Sequence, residues 1–225
     1  MTTRLKALCL GLLSVLAVTA FGVMSAVAED GGHFESEVAH TTIKGTETPA
    51  TGVHTLHFRR QGTAEEIGCT EASYTGTTTN ATETGITVTP SWSKCYTTPN
   101  GTEFEVHENG CHFIFTIGKS TKIDHTVHLK CPIGKKIEIT HPNCNITVGE
   151  QTLGGEAGNG VVYKTVTEEG KHAITLEVTV KNIVSTYHEK ICIFLGTNQI
   201  SEMNGSVTVR GFDTDNKPVH ITATN

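Results

Sequence analysis

The stretch between Cys111 and Cys131 displays the pattern that governs the chain. It leaves as Cys111-His-Phe-Ile-Phe-Thr-Ile-Gly118 and, after a polar turn, returns as Asp124-His-Thr-Val-His-Leu-Lys-Cys131. Folded as an antiparallel hairpin with Cys111 opposite Cys131, one face collects Cys111, Phe113, Phe115, Ile117, Val127, Leu129 and Cys131. The other collects His112, Ile114, Thr116, Thr126, His128 and Lys130. Strand side chains alternate faces at period two, so this segregation is what a half-buried sheet requires, and a one-residue slip destroys it.

Comparable runs, separated by Gly, Pro, Asn and Asp clusters, cover 53–60, 66–79, 85–95, 103–107, 136–140, 144–148, 161–167, 172–187, 190–195, 205–211 and 218–224. The last two flank the turn-rich Asp213 to Pro218 and read as a terminal hairpin. No helix-period apolar pattern occurs beyond residue 28. Many short strands at regular spacing predict an all-β, sandwich-like domain over 51–225. Residues 29–50, with few large apolar groups, read as a loose arm or an edge strand. Thr97-Thr-Pro-Asn-Gly101 is a strong turn; it reads as a loop within one domain, with a possible subdivision near 98–102 into stacked β-subdomains.

The opening 28 residues differ in kind. Arg4 and Lys6 precede an apolar run from Ala7 to Val18, and Ala26-Val-Ala28 follows as a small-x-small cleavage site. Positive, apolar and small-residue regions in this order form a secretory signal, a helical segment removed on export. Cys9 follows Leu8, where a lipid-anchored protein needs a small residue.

Removal of residues 1–28 leaves 15 bases against 23 acids, a net charge of −8, and lowers the hydrophobic share from 36 % to about 31 %. An acidic chain without a basic cluster excludes electrostatic nucleic-acid binding. No interior run approaches the length of a membrane-spanning helix. The mature chain is somewhat poor in core material. Threonine, about 18 % of it, is β-branched and suits a half-wet pleated surface. All 12 histidines are retained, so full protonation takes the formal charge to +4; mild acidification is expected to reverse the surface charge and alter adhesion or self-association.

Six cysteines remain: Cys69, Cys95, Cys111, Cys131, Cys144 and Cys192. An even number in an exported chain implies three disulfides among 15 connectivities. Hairpin geometry favours Cys111 with Cys131; Cys69 with Cys95 and Cys144 with Cys192 are weaker assignments. No pair has zinc-knuckle spacing, so no metal is expected.

Several segments together resemble a group of exported bacterial β proteins that are Thr-rich and contain several cysteines. They are Val88-Thr-Pro-Ser-Trp-Ser-Lys-Cys95, Asn109-Gly-Cys111, Cys131-Pro-Ile-Gly134, Cys144-Asn-Ile-Thr-Val148 and Gly205-Ser-Val-Thr-Val-Arg-Gly211. The resemblance implies export and a β fold and carries no activity across.

Signatures of catalysis are missing. There is no Gly-x-Ser-x-Gly elbow. His107-Glu108 and His188-Glu189 begin like HExxH, but both runs end in a cysteine and lie in β surroundings, where residues four apart do not form a helical metal face. His54/His57 and His125/His128 are three apart and point to opposite faces of a strand. His112 and His128 share the polar face of the hairpin, as exposed polar residues. Asp213-Thr-Asp215-Asn216 reads as an Asx turn rather than a calcium loop. Rings available to stack on a sugar are Trp92, Tyr74, Tyr96, Tyr163 and Tyr187. Sequons occur at Asn80, Asn100, Asn145 and Asn204.

The sequence therefore describes a secreted, non-catalytic structural or adhesive β protein without cofactor. It would act by self-association or on an extracellular partner such as a polysaccharide. A carbohydrate-binding module is the alternative and a secreted hydrolase the third reading. A structural protein should offer an open sheet edge, expected at the terminal hairpin or the arm before His54.

Overall fold

The structure, a computed structural model, describes residues 32–47, 56–62, 66–98, 101–118, 125–156, 158–188 and 196–224. Four long strands form its frame: β4 (Glu66–Thr77), β6 (Gly85–Thr98), β14 (Lys171–His188) and β15 (Gly196–Phe212). At one end they share a ring with four short strands: β3 (Leu56–Arg60), β7 (Glu103–His107), β10 (Ile137–His141) and β11 (Cys144–Val148). The antiparallel ladder runs β3–β4–β6–β7–β10–β11–β14–β15 and returns to β3. A sheet closed in this way has no edge. The all-β, sandwich-like fold is thus joined along both margins at this end.

Toward the other end each long strand changes partners. β2 (Thr42–Glu47) replaces β3 between β15 and β4, and β8 (His112–Thr116) replaces β7 beside β6. β13 (Gly160–Glu168) replaces β11 beside β14. Outward from β8 follow β9 (Thr126–Lys130) and β12 (Gln151–Gly154). The gap from β12 to β14 is bridged by a side chain rather than a ladder: Gln151 donates to the Val184 carbonyl (3.1 Å) and accepts from the Val184 N–H (2.8 Å). A separate sheet of β5 (Thr82–Glu83), β1 (His33–Ser36) and β17 (Ile221–Thr224) covers this end. It contributes Phe34 and Ile221 to the core.

Irregular residues mark the waist between the ends. β14 carries a bulge between Val180 and Ile183, with Asn182 at φ 62°, and Lys94 on β6 lies at φ 51°. Buried positions on β6 run Ile86, Val88, Trp92 and then Cys95, and on β4 Tyr74 and then Cys69. The inward set therefore changes parity across the waist on both strands at once, while Cys69 stays opposite Cys95 and Ala72 opposite Trp92 in one register. Trp92 plugs this level. Its ring meets Tyr74 and Phe113 edge-on, at 6.4 and 6.0 Å, and its Nε1 donates to the Tyr74 hydroxyl at 3.2 Å.

The β8–β9 hairpin has the expected register, with His112 opposite Lys130 and Phe115 opposite Val127. Phe113, Phe115, Ile117, Val127 and Leu129 are all buried. Disulfides join Cys111 to Cys131 and Cys69 to Cys95, across Cα distances of 4.1 and 3.9 Å. The first closes the neck where the chain enters and leaves the hairpin; the second spans directly opposed residues of β4 and β6. Two cystines in one domain suit an oxidising compartment. Cys144 is disulfide-bonded as well, while Cys192 and residues 1–28 lie outside the described residues.

Three expectations change. Of the presumed arm or edge over 29–50, the described part forms interior strands: β1 between β17 and β5, and β2 between β15 and β4. One large apolar group per strand suffices there, Phe34 and Ile43, because neighbours approach closely. A Cβ at Gly45 would come within 3.0 Å of Val207 and 3.1 Å of Tyr74. The terminal hairpin is only two residues deep: β16 (Pro218–Val219) pairs with β15, and after His220 the chain crosses to β1. The turn at 98–102 divides nothing, since β6 before it and β7 after it pair with each other.

Candidate functional site

A binding protein of this architecture would hold its ligand inside the sheet, so the interior comes first. Eight strands leave room for side chains or one small ligand. Here side chains fill it. A void of about 50 Å³ remains beneath the waist, walled by Phe58, Trp92, Phe113, Ile139, Ile183 and Met203 among other apolar groups. Above the waist a second void measures about 20 Å³. Both are far below the roughly 300–1,000 Å³ of ligand pockets. A polar cluster lies inside the ring: Ser201 Oγ is 2.8 Å from Ser185 Oγ and 3.1 Å from the Tyr187 hydroxyl.

The aromatic rings are used in packing. Trp92, Tyr74 and Tyr187 are buried. Tyr163 stands edge-on to Phe34 (5.3 Å) and His125 (5.0 Å), and its hydroxyl donates to the Thr116 carbonyl at 3.3 Å. Burial pushes its phenol well above the ordinary range. Tyr96 is half-buried. A buried Trp92 cannot act as a sugar-stacking platform.

The charged candidates also serve local structure. Glu108, of the first HExxH-like run, accepts the Trp92 backbone N–H at 2.9 Å. His128 Nδ1 lies 2.8 Å from Thr152 Oγ1, and His57 contacts Glu66 at 3.0 Å. Buried His125 and half-exposed His128 sit on opposite faces of their strand; His54 lies outside the described residues. No metal-binding group of three or more His, Cys, Asp or Glu occurs among the described residues. Asp213 closes its turn by accepting from the backbone N–H of Asp215 and Lys217. Of the sequons, Asn80 is exposed in a turn, while Asn145 and Asn204 are half-buried within strands.

The outer surface carries an open groove of about 600 Å³ lined by Glu103, Glu105, Thr140, His141 and Pro142, and several strand edges, of which β13 is the longest among the described residues. β13 pairs with β14 without interruption over nine residues, from Gly160↔Thr179 to Glu168↔Lys171. Among the described residues no strand pairs with its other edge. Its first part is anchored by Val161, 3 % exposed, and by Tyr163. Beyond Tyr163 it projects, and Lys164, Thr165 and Thr167 are all exposed. At the terminal hairpin, where an open edge was expected, β16 and β17 are also paired on one side only among the described residues, but over two and four residues. The signal for the β13 edge was the run Lys164-Thr-Val-Thr-Glu168, whose apolar content is too low for a strand covered on both faces.

No protein-family model, curated protein or solved structure matches the chain. Functional reasoning therefore rests on its own residues.

Proposed function

We propose that this is an exported, non-catalytic structural or adhesive protein that docks through a sheet edge and not through a cavity. The observation that carries the reading is the projecting edge of β13. An open edge is a row of unpaired N–H and C=O groups that extended segments recognise by adding a strand. The filled interior and the rings committed to packing support the same reading. The cystines and the Arg4–Ala28 segment support export.

Two measurements test it. Mass spectrometry of the unreduced, secreted full chain should find a product beginning at Glu29 with all six remaining thiols oxidised. A product that keeps residues 1–28, or free thiols, contradicts export and crosslinking. Binding of the secreted protein to cell-surface material should be lost in Thr165→Pro, which removes one edge donor where proline is structurally tolerated. Binding that survives this substitution and fails instead in a variant of the buried interior contradicts edge docking.

A further inference from the structure

The partner of the β13 edge follows from hydrogen-bond direction and charge order. The backbone N–H of His172 donates to His220 Nδ1 at 3.0 Å, on the side of β14 that faces away from β13. At the other end the Lys181 N–H points the opposite way, to Asn159 Oδ1 at 2.8 Å. His172 lies before the Val180–Ile183 bulge, and the nine pairs from Gly160↔Thr179 to Glu168↔Lys171 run without a register shift, so alternation holds along this part of β14. His172 and its partner Thr167 therefore form a non-hydrogen-bonded pair, whose backbone groups point away from each other. By alternation, the N–H and C=O groups of Tyr163, Thr165 and Thr167 project from the open edge.

We propose that this edge pairs with the same edge of a second copy of the chain, antiparallel and two-fold symmetric about Val166. The proposal rests on the edge-docking reading above. In this register Thr165 lies opposite Thr167 of the second copy, and each such pair can exchange two backbone hydrogen bonds. Lys164, which pairs with Glu177 of its own chain, then also faces Glu168 of the second copy, which pairs with Arg210 of its own chain, once on each side of the axis. A register centred on Lys164 would instead place two lysines in direct opposition, which is unfavourable. The tip also has room: Thr165 and Thr167 are exposed although they continue the inward-facing series of Val161 and Tyr163. Overlap limited to residues 164–168 keeps the two bodies apart. A two-fold contact of this kind is isologous and closes on itself as a dimer.

The test uses the secreted full chain. Val166 lies opposite itself across a non-hydrogen-bonded pair, with Cα atoms about 4.5 Å apart, a separation cysteines can bridge. Under mild oxidation Val166→Cys should form a covalent dimer and Val162→Cys should remain monomeric. In sedimentation, the parent should self-associate with concentration. Lys164→Glu and Thr165→Pro should abolish association, and the swapped double variant Lys164→Glu/Glu168→Lys should restore it. Each variant is compared with the parent by circular dichroism, so loss of folding is told apart from loss of pairing. A parent that is monomeric at all concentrations, with Val166→Cys and Val162→Cys crosslinking equally slowly, overturns the proposal. If that monomer still adheres in a Thr165→Pro-sensitive manner, edge docking stands and only the second copy falls. Association that survives Thr165→Pro also overturns it.

Discussion

The two ends of the domain solve one problem differently. At the end built on β3, β7, β10 and β11, the ladder returns to its starting strand and every strand is paired on both sides. At the other end the ladder stops at β12 on one side and β13 on the other, and β12 reaches β14 through the Gln151 side chain at Val184. Closure requires that eight strand registers agree. The open end has no such constraint and is covered by a separate three-stranded sheet. Stability is thus concentrated in the closed ring and the waist, leaving the open edge available for contact. Local opening free energies in proteins differ in this way between packed cores and peripheral elements.

Trp92 is shared by both ends, and its removal should produce the largest effect. Trp92→Ala is expected to cost about 3–5 kcal/mol, with both ends melting together in denaturant. Separate transitions would show that the ends are independent domains. Next come the disulfides, whose loops span sequence separations of 20 and 26 residues. Each is expected to contribute roughly 3 kcal/mol. Alanine at Cys111 and Cys131 should raise hydrogen exchange in β8, β9 and β12 while sparing β3 and β4. Alanine at Cys69 and Cys95 should do the reverse. Equal exchange everywhere would erase the distinction between the ends.

Gln151→Ala removes three side-chain hydrogen bonds to backbone, one to Gly149 and two to Val184, and leaves the half-covered Val184 groups to water. It should cost about 1–2 kcal/mol and loosen only β12. The smallest effect concerns the covering sheet. Glu37 accepts from the His220 backbone N–H at 3.1 Å and contacts Lys171 Nζ at 3.0 Å. The His220 backbone bond first, and then Lys171, hold its carboxyl below the ordinary range. A depressed carboxyl contributes stability above its ordinary pKa and loses it as pH falls through the folded value. The parent melting temperature should therefore drop more steeply with acidification than that of Glu37→Gln; parallel curves would contradict the linkage.

Strand positions were legible because alternation is local. The hairpin faces around Phe113 and Leu129 follow from period two alone. β2 was not legible, because its burial comes from close approach: Gly45 fits between Val207 and Tyr74, which a count of large apolar residues cannot register. The waist was hidden for a similar reason. Lys94 and Asn182 are polar residues of ordinary appearance, and only their positive φ reveals the change of face. The β13 edge was missed because pairing is non-local. Terminal position pointed to β16 and β17, each of which pairs on one side only among the described residues, but it did not point to the longer edge of β13.

Amide exchange along β13, read residue by residue by NMR in dilute solution, tests the account most directly. Val162, Lys164 and Val166, whose groups turn toward β14, should be protected, while Tyr163, Thr165 and Thr167 exchange fast. Thr165 and Thr167 should gain protection as concentration rises. Uniform protection from Val162 to Thr167 at high dilution would mean that the edge is already covered within the single chain, and would contradict docking through it.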